Sequence, residues 1–193
     1  ETDNLTVGGA QGSDGQVLTS TGSGVGWEDA AGGGSGATAI DGLSDAVSGI
    51  TNFTNSLILG HQTTGTLDSA DGNTGVGYAA LDAITSGDDN VAVGYLSLSA
   101  NTSASYNVAV GKSALAANTT GADNTAVGFA ALDANTTAAN NTAVGSSALG
   151  ANTTGDENPA VGSNALLTNI TSSANTAVGR NALKLAKGGD NTA

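Results

Sequence analysis

The chain has 193 residues, a formal net charge of -13 and only four basic side chains, Lys112, Arg180, Lys184 and Lys187. Nonspecific binding to nucleic acid and to anionic membranes both rely on clustered cations, so this balance argues against either partner. There is no Cys, which removes disulfides, thiolate nucleophiles and thiolate metal sites, and no stretch approaches the roughly 18 apolar residues of a membrane helix.

Residue 1 is Glu, and no signal-peptide pattern follows it, so the chain reads as a fragment or a processed product. Residues 1–36 form a β-like leader and linker. Gly8-Gly9 and Asp14-Gly15 punctuate short extended pieces around Gln16-Val17-Leu18-Thr19, and Ala31 to Gly36 is flexible by composition. Over residues 37–55, Ile40, Leu43, Val47 and Ile50 are spaced by three, four and three, as in the a and d seam of a short coiled-coil neck. Gly42 and Gly49 oppose that neck, each costing a helix about 1 kcal/mol.

Residues 56–193 are an array. Gly recurs at 60, 77, 94, 111, 128, 145, 162 and 179, a period of 17 residues, with Val before all but the first and Leu four residues after all but the first. The unit is Asn-Thr-Ala-Val-Gly-x-x-Ala-Leu-x-Ala-Asn-Thr-Thr-Gly-x-x. Hydrophobic residues make up 38 % of the chain and aromatics only 3 %, so a conventional core would lack bulk. One Val and one Leu cannot bury themselves within a unit, and copies must stack into a continuous core. The expected fold is therefore all-β, a parallel β-solenoid of 17-residue repeats with a looser N-terminal leader.

Within each unit Asn-Thr-Ala-Val-Gly reads as a short strand of period two. Ala at 92, 109, 126, 143, 160 and 177 would form a strand face pressed against other chains, which predicts trimerisation. Ala-Leu-x-Ala-Asn is too short to distinguish a second strand from one helical turn, and Asn-Thr-Thr-Gly supplies turn chemistry.

Segments such as Asn124-Thr125-Ala126-Val127-Gly128 resemble the strand motif of trimeric autotransporter adhesin heads. They are still more similar to the Asn-Thr-Ala-Val-Gly arrays of bacteriophage tail fibres, as is the leader from Gly12 to Gly22. For adhesin heads the resemblance implies a left-handed β-roll (β-solenoid) assembled as a homotrimer, although units there are usually shorter. It also implies a structural fibre segment that positions a receptor-binding tip, on a virion or another extracellular surface. The expected partners are further copies, other fibre or virion proteins and a host surface glycan, with no membrane insertion. The alternative is a bacterial surface adhesin that binds ligands along its length.

Neither catalysis nor a cofactor is expected. His61 is the only His and Glu1, Glu28 and Glu157 the only glutamates, so neither a His-rich metal site nor a nucleophilic triad can be assembled within one chain. Asp71, Asp88, Asp89, Asp123, Asp156, Glu157 and Asp190 recur near one corner, where a solvated edge is favoured over calcium because the row skips copies. The residue after each repeat Gly varies most: His61, Tyr78, Tyr95, Lys112, Phe129, Ser146, Ser163 and Arg180. Tyr78, Tyr95 and Phe129, with Tyr106 nearby, are the candidate receptor-binding residues. Covering the margins of a core short of bulk is the favoured alternative for them. Thr pairs at 119/120, 136/137 and 153/154 suggest ordered water, but their place before Gly favours turn stacking.

Overall fold

The computed structural model describes residues 70–185 and 188–193 in full and, before residue 70, the backbone of six strands. The chain divides into Glu1–Gly42 and Leu43–Ala193. In the first unit β1 (Thr6–Val7) pairs antiparallel with β2 (Ala10–Gln11), and β3 (Gln16–Ser20) with β4 (Val25–Asp29). The extended piece read around Val17 is thus one arm of a hairpin. The glycine-rich linker lies outside the described residues.

In the second unit β5 (Ala46–Ile50) pairs antiparallel with β6 (Phe53–Leu59), with a register shift between Ser48 and Ile50. Val47 and Ile50, expected on a coiled-coil seam, are therefore on a strand; Ile40 and Leu43 lie outside the described residues. Gly49 explains the difference physically, because it weakens a helix but suits the irregular point of a β-ladder.

From β6 onward the strands run parallel. β7 (Thr74–Val76), β8 (Val91–Val93), β9 (Val108–Val110), β10 (Thr125–Val127), β11 (Thr142–Val144), β12 (Pro159–Val161) and β13 (Ala177–Val178) follow in order, closing a nine-stranded sheet with β5 at one end. Each pairs in register with residues 17 positions along, for example Thr125, Ala126 and Val127 with Thr142, Ala143 and Val144. The protein is a parallel β-solenoid of 17-residue coils.

The direction of the strand faces corrects one expectation. Ala92, Ala109, Ala126, Ala143, Ala160 and Ala177 are 0 % exposed within the single chain. They face the inside of the coil, not another chain, because the coil is narrow and Leu81, Leu98, Leu115, Leu132, Leu149 and Leu166 fill it from the opposite wall. The valines, read as core, point outward and remain partly exposed.

The Ala-Leu segment is neither strand nor helix. It is a pair of tight turns, in which Ala80 N–H donates to Gly77 O (3.2 Å) and Ile84 N–H to Leu81 O (3.2 Å). The repeat leucines take φ between 45° and 57°. A left-handed backbone costs an L-residue roughly 1–2 kcal/mol. Burying the Leu side chain returns about 1.5–3 kcal/mol, and its N–H bonds to the next coil, as from Leu115 to Ala131 O at 3.0 Å. At the end of each strand the repeat Gly is needed for a second reason besides its conformation. In Gly128, at φ 138°, a Cβ would lie 2.6 Å from the carbonyl O of Gly145 in the next coil.

Two rows of buried Asn hold the coils in register. Asn124 donates its N–H to Asn107 Oδ1 (3.0 Å) and its Nδ2 to Ala122 O (3.1 Å) and Ala138 O (2.8 Å). Its Oδ1 accepts from the backbone N–H and the Nδ2 of Asn141, at 3.0 and 3.2 Å. Every polar atom of a fully buried amide is thereby used. The second row, Asn101, Asn118, Asn135, Asn152 and Asn169, bonds amide to amide at 2.9–3.4 Å. Both rows converge on one wall: Ala138 O accepts from Asn124 and from Asn135. The last coil is one residue shorter, since Asn191 bonds to Asn175 across 16 positions while Asn175 bonds to Asn158 across 17.

Candidate functional site

Since the interior is filled by Ala, Leu and Asn, what the molecule offers to others lies on the outer face of the strands and its two margins. The strands β7–β13 contain no charged residue. Their outward Val side chains form a stripe along the coil axis, with Val76 39 %, Val93 37 %, Val110 36 %, Val161 40 % and Val178 66 % exposed.

One margin is the position after the repeat Gly. Tyr78 and Tyr95 stack with ring centroids 5.3 Å apart and planes at 11°, and Lys112 Nζ lies 5.5 Å from the Tyr95 centroid. Phe129 continues this row and is exposed, followed by Ser146, Ser163 and Arg180. The row exists because identical coils place identical positions about 4.8 Å apart, close to an aromatic stacking distance. Its geometry limits what it can bind. The two faces of Tyr95 are taken by Tyr78 and Lys112, so ring edges and hydroxyl remain for a partner, not the flat face that stacks on a sugar.

Tyr106 is not part of this row. It precedes Asn107 at the other end of the strand, on the second margin, with φ 62° and 59 % exposure. Of the four candidate receptor-binding residues, the structure therefore groups Tyr78, Tyr95 and Phe129 on one side and sets Tyr106 apart.

The second margin carries the acids in two roles. Asp88 and Asp156 serve the stack: Asp71 N–H donates to Asp88 Oδ1 (2.8 Å) and Ala139 N–H to Asp156 Oδ1 (2.7 Å). Ser105 and Ser173 do the same in neighbouring coils, accepting from the N–H of Asp88 and Asp156, both at 2.9 Å. Asp89, Asp123, Glu157 and Asp190 instead point to solvent, one in every second coil, with Tyr106, Asn140 and Ala174 in the coils between. That alternation separates these four outward carboxylates from one another by about 10 Å, twice the strand spacing and near the Debye length, while Asp88 and Asp156 adjoin two of them. It is visible in the sequence as a doubled period, which makes a row counted on a period of 17 skip copies. Among the described residues no three His, Asp or Glu side chains gather as a metal-holding group.

Asp133 lies in the turn after Leu132. Burial raises its pKa above the ordinary value, partly offset by hydrogen bonds from the backbone of Asp133 and Ala134. Desolvation is the largest cause of the shift. The Thr pairs divide as well: Thr119, Thr136 and Thr153 donate their hydroxyls to carbonyls of the next coil at 3.0, 3.2 and 3.0 Å, while Thr120, Thr137 and Thr154 are exposed.

No family model matches the chain, and no curated protein or solved structure matches it.

Proposed function

We propose that this chain is a non-catalytic length-building segment of an extracellular fibre, homotrimeric and of the kind found in bacteriophage tail fibres, which holds a receptor-binding tip away from its anchoring point. The observation that carries this reading is the uninterrupted in-register stack from β6 to β13, in which each coil bonds only to its two neighbours. Each added coil extends such a stack by about 4.8 Å without needing a new core. The resemblance of the repeat and of the leader to tail-fibre arrays supports a virion or other extracellular surface, with other fibre proteins as neighbours. A surface adhesin that reads host glycans along its length is less favoured, because both faces of Tyr95, in the middle of the aromatic row, are covered by Tyr78 and Lys112.

Immunogold electron microscopy with an antibody against the repeat array tests the placement. Label along slender fibres of a virion is the expected result. Label confined to a bacterial surface, together with glycan binding that is lost on removing Tyr95 and Phe129, would replace this reading with the adhesin one.

A further inference from the structure

We propose that the outer valine face of β7–β13 is a self-association surface, and that it takes a second copy of this chain with the two solenoid axes parallel. This deepens the fibre reading by naming the face through which copies meet. The interior Ala row cannot serve, since it is sealed within one chain. The Val stripe, by contrast, leaves more than a third of several β-branched side chains in water along one continuous line, where ordinary surfaces expose apolar residues singly.

Charge selects both the partner and its direction. Two copies with a formal net charge of -13 each repel across most of their surfaces, whereas the strand face carries no charge at all. Its margins differ in sign. Asp89, Asp123 and Glu157 lie on the margin before the strand, and Lys112 and Arg180 on the margin after it. Turning a second copy about an axis parallel to the solenoid brings the acidic margin of one copy against the basic margin of the other. Turning it about an axis along the strands would set acid against acid. In the parallel arrangement each coil meets its own counterpart, so a cation on one copy lies level with a coil that has no outward acid and midway between the acids of the coils above and below. Lys112 shares its coil with Tyr106, between the coils of Asp89 and Asp123, and Arg180 shares its coil with Ala174, between those of Glu157 and Asp190.

Sedimentation equilibrium on the full chain, alone and as Val110→Lys/Val161→Lys, tests the surface. The expected result is an oligomer for the unaltered chain and a monomer for the variant, with an unchanged far-ultraviolet circular dichroism spectrum because both side chains already face water. Since the chain has no Cys, Val76→Cys and Val178→Cys test the direction, whatever the lysine variant does. Parallel axes predict disulfide cross-links between two copies of Val76→Cys and between two copies of Val178→Cys, and none between one of each. An unaltered chain that is monomeric at micromolar concentration, or cross-links that form only between position 76 and position 178, would overturn the proposal. Parallel cross-links combined with an absence of label on any fibre would instead sink the fibre reading and leave the interface standing.

Discussion

The inner and outer sides of the same strands obey different rules. On the inner side Asn, Ala and Leu recur with almost no variation, because the partner of each residue is its own counterpart one coil away: Asn124 needs an Asn at 141, and Gly128 can lie so close only to another Gly. On the outer side the position after the repeat Gly passes through Tyr, Lys, Phe, Ser and Arg. There, a side chain meets its stacked neighbour only at its flank and water on the other side. Repetition in the chain is therefore enforced by self-stacking, and variation is allowed where stacking ends.

Four substitutions can break or sharpen this contrast. Asn124→Ala should do the most damage, because the N–H and Nδ2 of Asn141 lose a buried acceptor, at about 1–3 kcal/mol for each orphaned group; chemical denaturation would read the loss directly. Ala126→Leu comes next. It forces a larger side chain into a fully buried position, which should cost about 1–3 kcal/mol of stability in the single chain, and thermal melting should show it even where no oligomer forms. One residue on, Val127→Thr on the outer side should change the stability of the dissociated single chain by no more than about 0.5 kcal/mol; a large loss at dilutions where copies are apart would mean that this face is covered within the monomer.

The smallest effect belongs to Asp133. Its folded pKa is raised above 3.8, so between 3.8 and the raised value the folded state holds more protons than the unfolded one, and stability falls as pH rises through that window. Asp133→Asn should abolish this slope. Melting temperatures measured across the acidic range should then show the variant gaining on the original chain as pH increases, and a parallel pair of curves would contradict it.

Much of the fold was legible in the sequence. The Gly spacing of 17 and the single Leu per unit require stacked coils, and the alternation in Asn-Thr-Ala-Val-Gly marks the strand. Which face turns inward was not legible, since alternation distinguishes two faces without ranking them. Val is the more apolar residue, yet the space is narrow enough that Ala fits beneath the incoming Leu. Leu at positive φ was equally hidden, because an isolated Leu favours helix and only the bond to the next coil holds it in the left-handed region. At the candidate site, the row holding Tyr78, Tyr95 and Phe129 follows from their shared place after Gly. The closure of the Tyr95 faces and the separate position of Tyr106 required coordinates. The two-coil alternation of Asp89, Asp123 and Glu157 was available in the sequence all along, as a period of 34 and not of 17.

The most direct test of the 17-residue coil as the unit of this fold is a pair of deletions. Removing residues 125–141 joins Asn124 to Thr142 and leaves every remaining Asn, Gly and Leu in register, so circular dichroism and thermal melting should report a folded protein with one coil fewer. Removing residues 125–132 takes out one strand and one Leu and throws the later coils out of phase, so the cooperative melt should be lost or fall far below that of the first deletion. Equal damage from the two deletions would contradict the coil as the structural unit.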